Sequence, residues 1–268
     1  MPITEKDNEL RGIIENNLAS MYSYRAYDAM QMLSVCEGNY QYIKNIYNNA
    51  RYRISVAHIL CKYYLPEKAQ ELFALFSVSG EANVRKLAAD IGKDCNIDLT
   101  ELFAEIDRKS KIMLKDPEGK LSFLAKYTEK YRVDVSDDGE SAVIYNPMHM
   151  DTISVDYEID EYTAGFSLQH VHVQNPEDAE KWIDDVMSET LLPIGFYKNG
   201  RIVMGSHIKS SAVGKLSYED LRKTFRPYDG RELCEFSDSF KIRSWSGEKN
   251  FEAQFVNTDG KVTIRVIG

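Results

Sequence analysis

The chain is poor in the features that announce a chemistry. Its 268 residues include four cysteines, Cys36, Cys61, Cys95 and Cys234, and no two of them form a C-x-x-C pair. A zinc ribbon or a thioredoxin-type dithiol needs two thiolates presented by one turn, so neither is expected. Three of the four are read as standing among apolar residues in helical patterns, where a free thiol acts as a small hydrophobe. Reduced cysteines in a cytoplasmic protein are the expectation. No run of about 18 apolar residues occurs, so no spanning helix is expected. The opening residues MPITEKDNELRG lack the basic stretch and apolar core of a secretory leader, and none is expected there. Positive charge is also short: 33 Lys and Arg stand against 42 Asp and Glu, a net charge of −9. A broad phosphate-neutralising surface is therefore not expected.

What is present is globular material, 43% hydrophobic and 11% aromatic, enough to bury a core. The hydrophobic period changes along the chain. Residues 1–114 repeat with a helical spacing. Leu10, Ile13, Ile14 and Leu18 form one stripe, and Tyr22, Ala26, Ala29, Met30 and Leu33 a second. Glu37-Gly38-Asn39 reads as a break before a longer helix over 39–64. Three more helices are expected over 66–76, 81–92 and 98–113. Connections of a few residues between six short helices describe a bundle.

Beyond Lys115-Asp116-Pro117-Glu118-Gly119 one more helix, 119–130, leads into alternating segments. Hairpins are expected about Asp137-Asp138-Gly139-Glu140, Asn199-Gly200 and Asp259-Gly260, where glycine supplies positive φ. Ile153–Ile159 alternates strictly, and Ala164–Val173 reads as one strand. Tight turns between successive strands imply antiparallel pairing. The chain thus reads as α+β. An N-terminal all-α helical bundle (1–114) precedes a mostly antiparallel β-sheet domain (115–268) with two or three packed helices. Residues 115–268 carry 27 acidic and 19 basic side chains, so the negative charge belongs to the sheet half.

Several clusters are candidates for function. His170-Val171-His172 places two imidazoles on one strand face about 7 Å apart. They could share a metal with His149, Asp151 or His207 as third ligand and activate a water, a metal-assisted hydrolase. The plainer reading is two rings covering a half-buried sheet. Asp156, Glu158, Asp160 and Glu161 lack the D-x-D-x-D-G order of an EF-hand and read as a strand's solvent face. Residues 205–217 fail the P-loop spacing, with Leu216 where the hydroxyl should stand. What remains there is a loop, Ser210, Ser211, Gly214 and Lys215, ahead of a helix start that could hold an anion. No G-x-S-x-G elbow occurs.

The helix over 39–64 interleaves Tyr40, Tyr47 and Tyr52 with Lys44, Arg51 and Arg53 and holds no acidic residue. Tyr and Arg anchor protein interfaces, and aromatics among cations also suit stacked bases. The expected function is a non-catalytic cytoplasmic protein-interaction or regulatory protein. It would act through this Tyr/Arg-rich helix on a protein partner or a second copy, with the acidic sheet domain adding charge complementarity. The metal-assisted hydrolase and nucleic-acid binding through helix 39–64 are the alternatives. No cofactor and no membrane association are expected.

Overall fold

The structure is a computed structural model that describes residues 3–18, 23–46, 56, 59, 85, 88, 89, 99–148 and 151–267. The chain divides into two compact units: Met1–Met113 with Asp134–Asp138, and Leu114–Val133 with Gly139–Gly268. It is mixed helix and antiparallel sheet. None of the described helices is long and apolar enough to cross a membrane.

In the first unit, α1 (Glu5–Asn17), α2 (Ser23–Met32), α3 (Glu37–Ile46) and α4 (Thr100–Met113) are described. Thr4 and Asp7 form a reciprocal capping box at the start of α1, which satisfies two otherwise orphaned amides. Asp7 also accepts from the Ser34 amide at 2.8 Å, tying the start of α1 to the end of α2. The Ser34 amide, together with the Thr4 amide and hydroxyl, holds its carboxyl well below the usual range. Leu10, Ile14, Ala26, Met30, Tyr40 and Ile43 share one core, against which Leu102, Phe103 and Ile106 of α4 pack. Ile13, expected in that stripe, is instead 44% exposed. The expected break at Glu37–Asn39 is the first turn of α3. Asn39 is tolerated there because its side chain bonds the Ser34 carbonyl and accepts from Arg11. Beyond Ile46, the expected helix to residue 64 falls largely outside the described residues.

A buried ion pair closes this unit. Arg85 reaches Asp134 through Nε at 2.7 Å and Nη2 at 3.1 Å, while Nη2 also contacts Asp107. Its guanidinium lies over the Phe103 ring, 4.7 Å from the centroid.

Two five-stranded sheets follow, which belong to the second unit except for Asp134 and Val135 of the first strand. The first runs β1 (Arg132–Val135), β2 (Ser141–Tyr145), β3 (Thr152–Glu158), β4 (Glu161–Phe166), β5 (Gln169–Val173) in that spatial order. The second contains β6 (Leu191–Lys198), β7 (Arg201–Lys209), β8 (Ser239–Ile242), β9 (Phe251–Thr258) and β10 (Lys261–Val266), ordered β10-β9-β8-β6-β7. The helix expected over 119–130 is a 3-10 helix, Ser122–Glu129. α5 (Pro176–Met187) starts at an Asn175 cap, with Pro176 in its first turn. Its Ala179, Trp182, Ile183 and Val186 are buried.

The expected single strand Ala164–Val173 is in fact a hairpin. Ser167 takes φ +52 and the chain reverses, so that Phe166 faces Gln169 and Ala164 faces Val171. A second tight turn at Ile159-Asp160 puts both residues at positive φ and ends β3 at Glu158. The Asn199-Gly200 and Asp259-Gly260 turns carry the positive φ pair expected of them. Trp245 joins the sheets: its ring meets Phe166 edge-on at 5.6 Å, and its carbonyl accepts from Asn146 Nδ2.

Candidate functional site

The first sheet has two unlike faces, set by the period-2 alternation of its strands. Ile153, Val155, Tyr162, Ala164 and Phe166 point to the buried face, and α5 packs on β4 and β5. The opposite face is polar. The register aligns Ser141, Asp156, Thr163 and His172 in one row across β2–β5, and the buried Val143 with Ser154, Gly165 and His170 in the next. Burial pushes the Asp156 carboxyl up, and Glu158 adds to this while a hydrogen bond with Ser141 opposes it. The His170 and His172 rings stand nearly perpendicular at 5.0 Å. Nδ1 of His172 lies 2.8 Å from Glu161 Oε1. A carboxylate only accepts, so Nδ1 carries a hydrogen in this contact.

The second sheet supplies the other wall. On β6 and β7, Gly195 and Gly205 are directly opposed, and the Ser167–Leu168 turn sits on them. A Cβ on Gly205 would stand 2.6 Å from the Leu168 carbonyl oxygen, and one on Gly195 would stand 3.2 Å from Leu168 Cδ1. Glycine is needed here for close approach, not for turn geometry. Beside this contact opens a cleft of about 930 Å³. Thr152, Ser154 and His170 of the polar face line one side, and Tyr197, Ile202 and Met204 line the other. Ile202 is 50% exposed at the cleft.

This geometry redistributes the residues singled out in the sequence. His170 lines the cleft and His172 stands in the adjacent row. His207 belongs to the other sheet, opposite Pro193. Its Nε2 accepts from Trp182 Nε1–H at 2.8 Å, so that lone pair is not offered to a metal. Burial pushes the His207 imidazole pKa down, which favours the neutral ring. Asp151 uses its carbonyl to accept from the Asn146 amide, and His149 lies outside the described residues. Among the described residues no group of three or more His, Cys, Asp or Glu is placed to hold a metal ion.

The anion loop is also reorganised. Ser210–Val213 form a single helical turn, α6. The Ser210 and Lys215 amides already bond the Thr190 and Ala212 carbonyls. Lys249 donates to Ser210 Oγ at 3.0 Å and pairs with Glu189 at 3.1 Å, so the nearby cation is engaged as well. Ser211 and Gly214 are exposed, and a Cβ at Gly214 would meet nothing within 4 Å. On the tyrosine helix, Tyr40 is fully buried in the first unit's core, which removes it from any partner surface. Lys44 is half-buried near its ring. Tyr47, Arg51, Tyr52 and Arg53 lie outside the described residues.

Sequence reasoning missed Ser154, Tyr197, Ile202 and Gly205. They are spread over three strands, β3, β6 and β7, and share no local motif. The one readable signal is β7 itself, whose charges stand only at its ends, Arg201 and Lys209, with none from Ile202 to Ile208. Comparison with known proteins finds no matching family model, no matching curated protein and no matching solved structure.

Proposed function

We propose that this chain is a non-catalytic protein-interaction or regulatory protein, and that the cleft between the polar face of the first sheet and β7 receives its protein partner. The cleft carries this reading. It combines hydroxyls, an amide and an imidazole with apolar side chains from Leu168, Ile202 and Met204. Such a lining suits a polypeptide's alternation of amide and side chain. The surplus of acidic side chains in residues 115–268 favours partners that are not strongly acidic. An N-terminal helical bundle would present Arg51, Tyr52 and Arg53 as a second contact.

The test is quantitative affinity capture with the full chain and its Ser154→Tyr variant, which fills the cleft from the polar wall. Specific partners should fall at least about tenfold, the equivalent of one good anchor contact. Equal recovery by both chains contradicts the assignment.

A further inference from the structure

The walls of the cleft differ in kind, and the difference points to the form of the partner. β7 is the end strand of its sheet. The Arg243 and Asp238 amides donate to the Pro193 and Tyr197 carbonyls. Pro193 and Tyr197 therefore turn their main-chain groups toward β8. In an antiparallel ladder these directions alternate, so Ile194 and Phe196 bond to β7 instead. Across the register, Ser206 and Met204 take those inner bonds, while Gly205 (opposite Gly195) and Ile202 (opposite Tyr197) turn their N–H and C=O outward. Both Ile202 and Gly205 line the cleft. Among the described residues no strand pairs with this outer edge.

Proteins usually guard such an edge with charge or proline. β10, the opposite end of the sheet, carries Lys261 and Arg265 in this way. β7 carries no charge between Arg201 and Lys209, and its pairing with β6 shifts register at Phe196/Tyr197, which is what lets Ile202 and Gly205, three residues apart, both face outward.

We propose that the cleft takes an extended segment of a partner polypeptide, added as a strand along the outer edge of β7 at Ile202–Gly205. This rests on the protein-interaction reading above and specifies its ligand. Main-chain bonds to Ile202 and Gly205 hold the segment in register. Side chains on one of its faces pack on Leu168 and Ile202, and those on the other meet Ser154, Thr152 and His170. The recognised sequence alternates apolar with small polar residues and carries no net negative charge.

A displayed library of random linear peptides, selected on the full chain, supplies the probe, and binding of enriched peptides is read by fluorescence anisotropy. Alternating apolar–polar peptides should be enriched. N-methylation of single peptide amides should weaken binding about tenfold where the amide faces β7 and leave the intervening positions unchanged. This scan uses the unaltered protein, so folding of a variant does not enter. Ser154→Tyr should abolish binding, with its thermal unfolding compared to the parent chain. A scan without alternation, combined with loss in Ser154→Tyr, overturns strand addition and keeps the cleft as the interaction site. Binding that survives Ser154→Tyr, or a library that yields no binder, overturns both.

Discussion

Gly205 stands directly opposite Gly195, and the Leu168 carbonyl oxygen occupies the space where a side chain at Gly205 would begin. Gly205→Ala places a Cβ 2.6 Å from that oxygen and 2.6 Å from Gln169 Oε1. The glutamine can swing away, but the carbonyl is main chain and must shift. A loss of about 1–3 kcal/mol is expected, measured by urea unfolding. Gly195→Ala meets the flexible ends of Ile202 and Leu168 at 3.2 Å and Leu168 Cβ at 3.3 Å, but no main-chain atom as close, and should cost less. Equal stability of Gly205→Ala and the parent would mean that the turn does not rest on β7.

The Arg85–Asp134 pair makes a sharper demand. Asp134 is fully buried and Arg85 is 5% exposed, so Asp134→Ala strands a cation. The cost of breaking such a pair is about 3–5 kcal/mol. It should fall at the lower end here, because Asp107 still contacts the guanidinium. Replacing both partners by apolar residues, Arg85→Met with Asp134→Leu, should recover much of the loss. Chemical denaturation of the single and double variants separates a stranded charge from simple loss of packing.

The hairpin tip at Ile159 holds a β-branched residue at φ +52 with 96% of its surface exposed. Asparagine tolerates this conformation far better, and no packing is lost at so exposed a site. Ile159→Asn should therefore stabilise the chain by about 1 kcal/mol, seen as a rise in Tm. A fall in Tm would show that Ile159 makes a contact worth more than its strain.

These turns also show what can be read from a sequence and what cannot. Asn199-Gly200 and Asp259-Gly260 are visible because their residues favour positive φ intrinsically. Ile159 and Ser167 take positive φ without that preference, and at Ser167 the apolar pattern runs through the turn unbroken. That is why Ala164–Val173 reads as one strand. Tertiary contact supplies what the local sequence lacks: the Ser167–Leu168 turn is seated by Gly195 and Gly205, about thirty and forty residues away. The α+β class and the change of period near residue 114 are local properties and are legible. The cleft depends on register between distant strands, which no local pattern encodes. His207 illustrates the same limit, since nothing near it in sequence announces the Trp182 hydrogen bond.

That bond has a pH signature. Burial lowers the His207 pKa below its ordinary value of 6.5, so the unfolded chain binds a proton more readily than the folded one. Stability from this residue is complete above the ordinary value and declines as pH falls below it toward the depressed folded value. The Trp182 N–H also loses its acceptor when Nε2 is protonated. Between about pH 7 and 5, Tm should fall and Trp182 fluorescence should change. His207→Gln should flatten both profiles in that window, and an unchanged profile would show that His207 does not titrate as placed.

Hydrogen exchange on the full chain, with and without a selected peptide, tests the central claim most directly. The account predicts slowed exchange at the Ile202 and Gly205 amides and around the Ser167–Leu168 turn, with the inner-facing Met204 and Ser206 amides little changed. Protection that leaves β7 untouched and gathers elsewhere in the chain would contradict it.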